Sequence, residues 1–239
     1  SVYGHADYVL ASTVNLITEL RYTDETKSFN GGSTLGFPGG LEVPFITIDD
    51  EIDFTAFSGK VGLTWRFDEQ AMLFTNISKG FKTGGFFGGF ATDPDQLAPF
   101  EEETIWAYEV GFKSDLFDNT LRVNGSAFIY DRQDVQLNAA NPEEVIKVAR
   151  LTNIGDVDTQ GAELEVIWAA TQDLTFQLGL GYTDAEISKS NFVVNAVLPL
   201  LGSAPLEGLN VPNYSKFSSN FSARYEHELG NNYLGMLQL

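Results

Sequence analysis

The stretch Phe57-Ser58-Gly59-Lys60-Val61-Gly62-Leu63-Thr64-Trp65-Arg66 alternates between two kinds of side chain. Successive side chains of a strand flip face. Phe57, Gly59, Val61, Leu63 and Trp65 therefore share one side, and Ser58, Lys60, Gly62, Thr64 and Arg66 the other. One face is apolar and the other is wet. Trp106, Tyr108, Val110 and Phe112 oppose Glu109 and Lys113 in the same way. Ala162, Leu164, Val166 and Trp168 oppose Gly161, Glu163 and Glu165, and Leu174, Phe176, Leu178, Leu180 and Tyr182 oppose Thr175, Gln177, Gly179, Gly181 and Thr183. Further alternating segments run through Val14–Tyr22 and Phe217–Glu226. The stretches 71–81 and 121–137 alternate less cleanly and are assigned as strands partly by position.

The connections between these segments fall into two classes. Short, turn-like links lie near 10–13, 67–70, 117–120, 169–173 and 230–232. Long segments rich in Gly, Pro and Asp lie near 27–52, 83–101, 138–148 and 191–215. Short and long links alternate along about ten strands, which places every long link at one end. Transmembrane β-barrels have this arrangement, with tight periplasmic turns and long extracellular loops. The segments also run to about 9–11 residues or more, the length needed to cross hydrocarbon at a tilt. Trp65, Trp106, Trp168, Tyr182 and Tyr225 near segment ends suit interfacial girdles. The expected fold is an all-β antiparallel transmembrane barrel segment in up-and-down hairpins.

Composition narrows the function. The 239 residues carry a net charge of -19, which repels a phosphate backbone and argues against nucleic acid as a partner. Cys is absent, so there is no disulfide framework and no thiolate metal site. The longest apolar run, Phe192 to Leu201, is broken by Asn195 and Pro199 and is too short for a membrane helix. Mean hydropathy is -0.09, as expected when strands face lipid on one side only. Ser1-Val2-Tyr3-Gly4 reads as strand and Leu237-Gln238-Leu239 stops inside another, so residues 1–239 are expected to be part of a larger barrel.

Several segments resemble TonB-dependent receptors. Ile77-Ser78-Lys79-Gly80-Phe81-Lys82-Thr83-Gly84-Gly85-Phe86 is similar to that family's Ser-Arg-Gly-Phe-Lys-Ser-Gly-Gly-Phe segment. Tyr108-Glu109-Val110-Gly111-Phe112-Lys113-Ser114 resembles its Tyr-Glu-x-Gly-x-Lys strand and is followed by the matching turn Leu116-Phe117-Asp118-Asn119. Asn153-Ile154-Gly155-Asp156, then Gly161-Ala162-Glu163-Leu164-Glu165, resembles its Asn-x-Gly … Gly-x-Glu strand, and Leu20-Arg21-Tyr22-Thr23-Asp24-Glu25 matches a further barrel segment.

The resemblance implies a barrel normally of 22 strands with a plugged lumen. The plug domain, the TonB box and the terminal strands have no counterpart in residues 1–239. It also implies an outer-membrane receptor that takes up a scarce nutrient, an iron–siderophore complex being the commonest cargo. Cobalamin, haem, other metals and glycans are carried by other members. Implied partners are outer-membrane lipid, the TonB–ExbB–ExbD system acting through the plug, and the small-molecule ligand. No catalytic residue and no cofactor is expected.

Within that frame Phe86, Phe87 and Phe90, in the loop Gly84–Phe90, are the candidate ligand-binding residues. Aromatic rings stack on a siderophore or sugar, and neighbouring glycines let the backbone approach. The alternative is a loop packing its own aromatics against its neighbours. Glu101-Glu102-Glu103 and Asp49-Asp50-Glu51 carry the oxygen ligands Ca²⁺ prefers, yet without EF-hand spacing they read as solvated charge runs. Glu163 and Glu165 are expected to face the lumen and meet Arg or Lys of neighbouring strands or of the plug, a structural role. His5 and His227 are expected near the periplasmic turns, away from the position an outer-rim protease would need. A passive porin, a small complete barrel and a soluble all-β adhesin are the competing readings.

Overall fold

In a computed structural model, residues 1–139, 149–190, 192–195, 203–212, 214–230 and 233–239 are described. The strands are β1 (Val2–Ala11), β2 (Val14–Phe37), β3 (Leu41–Asp68), β4 (Ala71–Lys82), β5 (Glu103–Leu116), β6 (Leu121–Gln133) and β7 (Gln136–Ala139). They continue as β8 (Arg150–Asn153), β9 (Asp156–Ala169), β10 (Leu174–Lys189), β11 (Val193–Asn195), β12 (Ser203–Pro205), β13 (Phe217–Gly230) and β14 (Tyr233–Gln238). Ten of them form one antiparallel sheet in the order β1-β2-β3-β4-β5-β6-β9-β10-β13-β14. Each strand pairs with the next one in the sheet, so the sheet is a meander of hairpins with β1 and β14 at its open edges.

The register carries the alternation from strand to strand. Leu16, Leu63 and Thr75 stand in one row, as do Val61, Ile77, Tyr108 and Ile129, with Ala127, Ala162 and Tyr182 in another. This apolar face is the more exposed one. Phe57 is 59% exposed, Val61 53% and Trp65 48%, whereas Gly62 is buried and Lys60 and Thr64 are half-buried. A soluble sheet covers its apolar side. Here the polar side curves inward and the apolar side is left for lipid. Phe57 and Trp65 lie eight residues apart on β3, roughly 26 Å at about 3.3 Å per residue. Phe57 belongs to an upper girdle with Tyr22, Trp106 and Tyr182, and Trp65 to a lower one with Trp168 and Tyr225.

Inside, space is controlled by pairing small residues with large ones. The Phe74 ring covers Gly111, and the Phe128 ring covers Gly161. Short links close β1–β2, β3–β4, β5–β6 and β9–β10 at one rim. The tightest visible strain is at β5–β6, where Phe117, Asp118 and Asn119 all have positive φ. The Thr120 amide and hydroxyl both donate to the Phe117 carbonyl there, at 3.1 and 2.8 Å.

One expectation is corrected at the other rim. Residues 27–52 are not an irregular loop. β2 and β3 stay paired from Val14↔Trp65 to Phe37↔Leu41, a single ribbon that ends in a turn with Gly39 and Gly40 at φ +94° and +82°. Backbone pairing continues wherever two antiparallel strands remain in register, and outside the bilayer it needs no apolar alternation. The stretch 121–137 is likewise two elements: β6 ends at Gln133, Asp134 takes a positive φ of 54°, and β7 turns away to pair with β8. The expected loops 138–148 and 191–215 fall partly outside the described residues; their described parts form the small ribbons β7–β8 and β11–β12.

Candidate functional site at the long-loop rim

The connection 83–102 between β4 and β5 is folded onto the β2–β3 ribbon. The Lys27 ammonium donates to Thr83 Oγ1 at 2.6 Å and to the Gly84 carbonyl at 2.8 Å, and lies 5.6 Å above the Phe54 ring. Gly85 and Phe100 exchange backbone hydrogen bonds of 3.0 and 2.8 Å, closing the neck of the loop. Gly84 is required there, because a Cβ would come within 2.2 Å of the Phe100 carbonyl oxygen. Farther out, the Ala91 amide donates to Ser33 Oγ at 2.9 Å, and the 3-10 turn Pro94–Leu97 begins with the Asp93 carboxylate accepting from Asp95 N. Leu97 and Ala91 bury against Ile46, with Phe87 and Ile48 packed around them.

The three candidate aromatics are therefore placed differently. Phe86 stacks on Phe29, with centroids 5.3 Å apart and planes at 17°. Phe87 packs on the Ile46–Ala91–Leu97 cluster. Phe90, 58% exposed, leans on Phe45 at 6.2 Å. Phe29 and Phe45, which the sequence reading did not single out, share this surface with them. Leu35 and Val43 stand opposite each other farther along the ribbon, as do Phe37 and Leu41, and all four are exposed. The outer mouth is thus lined by aromatic and aliphatic groups on the same inner side that carries polar groups lower down.

A second knot holds the base of the loop. The buried Glu103 carboxylate, 7% exposed, accepts from Arg132 Nε at 3.0 Å and, on its other oxygen, from the Gln136 amide at 2.9 Å. The Gln136 side chain donates to the carbonyls of Glu101 and Thr83 at 2.9 and 3.2 Å. Asn153 receives the Glu101 amide at 2.8 Å and donates to the Glu101 and Asp134 carbonyls. Beneath it Val135, Ile154, Val157 and Ile187 form a buried apolar cluster. Gly155, at φ +127°, passes so close to β10 that a Cβ would sit 1.9 Å from the Lys189 carbonyl oxygen. Glu103 is thus an ion-pair partner within the run Glu101–Glu103. Among the described residues no group of three or more His, Cys, Asp or Glu has a metal-binding arrangement.

Lower in the trough, Glu165 accepts from Asn124 at 2.9 Å and lies within the field of the Arg122 guanidinium, the kind of cation expected for it, and Glu109 lies 3.4 Å from Asn76 Nδ2. Arg122 pairs with Asp115 at 2.6 Å nearer the short-turn rim. His227 sits at that rim, 2.7 Å from Asp173. His5 stands opposite Glu19, three to four residues into β1 and well along the wall from the turn where it was expected.

A family model described as TonB dependent receptor-like, beta-barrel matches residues 1–238. The chain belongs to that family. Its barrels lie in the outer membrane of Gram-negative bacteria and serve receptors and transporters rather than enzymes, taking small-molecule ligands and working with TonB. The metal-pseudopaline receptor CntO of Pseudomonas aeruginosa is 29% identical over 176 residues, 73% of this chain and 22% of the relative. The crystal structure of the ferric yersiniabactin uptake receptor FyuA from Yersinia pestis superposes with a TM-score of 0.75 at 17% identity, covering 98% of this chain and 32% of that one. The copper transporter OprC superposes with a TM-score of 0.72, again at 17% identity, covering 94% and 32%. This TonB-dependent receptor barrel chain thus spans about a fifth of the length of its curated relatives.

Proposed function

We propose that this chain is the partial barrel, residues 1–239, of a receptor that actively imports a metal chelate, with an iron–siderophore complex as the first candidate cargo. The observation that carries this reading is the mouth: an aromatic and aliphatic surface from Phe29, Phe45, Phe86 and Phe90 stands at the long-loop rim of strands whose inner face carries Lys60, Thr64, Asn76 and Ser78 lower down. Flat catecholate, phenolate or thiazoline chelates offer apolar edges to rings and leave charge to the polar floor. The names of the similar proteins, one for metal-pseudopaline and one for ferric yersiniabactin, support a chelate over a glycan, cobalamin or haem. In this reading Phe90 is the leading contact, and Phe86 and Phe87 shape the wall behind it. The plug domain, absent from these residues, closes the lumen and hands the energy of the TonB–ExbB–ExbD system to the bound ligand.

Uptake of radiolabelled iron chelates by cells carrying the full-length receptor tests this. Uptake is expected to require TonB and to weaken for Phe90→Ala. TonB-independent flux of small solutes would instead indicate a passive porin, and high-affinity binding of an oligosaccharide but no chelate would replace the cargo class.

A further inference from the structure

Basic side chains of the sheet follow one rule, with one departure. The register puts Arg21, Lys60, Lys113, Arg122, Arg132 and Arg224 on the inner face. Lys79 stands on the outer face, in the row Gly4, Leu20, Gly59, Lys79, Trp106. Among the described residues of the ten strands, it is the Lys or Arg that faces outward with no carboxylate partner; Lys189, at the end of β10, pairs with Asp156. The Lys79 ammonium lies 5.9 Å over the Trp106 ring. An unpaired ammonium on the lipid side is unfavourable at the midplane and tolerated near the headgroups, where an aromatic belt also belongs.

Its depth fits the second position. Lys79 is nine residues above Gln70 in the β3–β4 turn, roughly 23 Å of depth for strands rising about 3.3 Å per residue at a tilt of about 40°. Counted from the lower-girdle row Trp65–Leu73 it stands six residues, roughly 15 Å, up, just inside the Phe57 row, so its long side chain reaches the outer-leaflet headgroups alongside Trp106. Gly59 places no side chain beside it, and the exposed Val61 and Ile77 follow directly below in the next outward row. On the far side of Trp106 the row continues into Asp131 and Asp158, which repel an anion.

We infer that Lys79 is the anchor for the phosphate headgroup of an outer-leaflet lipid. The phosphate sits against the ammonium on the Lys79 side of the Trp106 ring, and acyl chains descend past Gly59 over Val61 and Ile77. Charge complementarity and continuity with the lipid-facing belt select this occupant, and the carboxylates beyond Trp106 confine it to one side. The inference depends on the membrane placement of the sheet and on no particular cargo.

The test uses the full-length receptor in nanodiscs of phosphatidylcholine containing a minor fraction of diphosphoryl lipid A, with retained lipid counted by native mass spectrometry. Wild-type receptor is expected to retain lipid A. Lys79→Met reduces that retention about fivefold, the effect of one basic residue at an anionic membrane surface. Lys79→Arg restores retention, and Lys60→Met, a lumen-facing neighbour, leaves it unchanged. Heat-modifiable migration verifies each barrel, and Lys79→Gln gives the same comparison if the methionine variant does not insert. Equal retention by wild type and the neutral variants overturns the proposal. So does an equal loss in Lys60→Met, or displacement of lipid A by inorganic phosphate alone, which marks a simple anion site. Chelate binding is read on the same samples. It is expected unchanged throughout, so that a wrong cargo and a wrong lipid site are told apart.

Discussion

The wall of the sheet and the cap at its long-loop rim are built from the same residue types in opposite arrangements. In the wall, Val61, Leu63, Val110 and Phe112 point outward and exposed, while Glu109, Asn124 and Glu165 line the inside. In the cap, Val135, Ile154, Val157 and Ile187 are buried, as are Ile46, Ala91 and Leu97. The cap packs like a small soluble domain because water surrounds it. Among the described residues the wall forms no buried apolar cluster of its own, because lipid supplies the apolar phase. Burial therefore reads as stability in one region and as nothing of the kind in the other.

The sharpest ways to break this contrast begin with the buried ion pair. Arg132→Met leaves Glu103 without its cation, and losing one partner of a buried pair costs about 4 kcal/mol. The expected result is protease cleavage within 83–101 and fast amide exchange at Gln136, with the wall still protected. An unchanged cleavage pattern would show the knot to be dispensable.

Next is Val61→Arg. On a soluble surface a residue this exposed would tolerate the change within about 0.5 kcal/mol. On a lipid face it costs about 3 kcal/mol. Urea unfolding in bilayers separates the two, and a neutral outcome removes Val61 from contact with lipid. Thr64→Arg, on the inner face of the same strand, is expected to cost much less.

Leu97→Ala tests the other side of the comparison. Opening a cavity in the cap costs about 2 kcal/mol and should loosen the loop without lowering barrel stability measured in the same experiment. Coupled loss of both would merge the two regions into one cooperative unit.

The smallest effect concerns Lys216, just outside β13. Its hydrogen bond to Asp184, at 2.7 Å, and the charges around it raise its pKa above the usual lysine value. A raised pKa stabilises fully below the ordinary value and loses that contribution as pH rises through the elevated one. Wild type and Lys216→Met should therefore differ slightly at neutral pH, as exposed pairs do, and converge above about pH 10.5. A difference that grows with alkalinity would reverse the assignment.

How much of this was legible in the sequence varied with the solvent each segment meets. Where lipid and water lie on opposite sides of one strand, as at Phe57–Arg66, the demand on alternate residues is strong and the faces can be read directly. Beyond the bilayer, water lies on both sides, so Asp49-Asp50-Glu51 and Gly31-Gly32 gave no strand signal although they are paired in the ribbon. The aromatic loop at Gly84–Phe90 was visible as composition. Its partners Phe29 and Phe45 were not, because they reach it only through the fold. The Glu103–Arg132–Gln136 knot joins three segments whose local sequences carry no mark of each other.

Side-chain period and turn chemistry, both properties of neighbouring residues, were enough for the chain alone to give the membrane-crossing strands that alternate cleanly, their faces and the rim that holds the long links, while 71–81 and 121–137 needed their place in that order. Which groups meet at the mouth, and that Lys79 looks outward without a carboxylate where the other described basic residues of the sheet do not, depended on cross-strand register. Register is fixed by pairing between distant segments, and no local pattern encodes it.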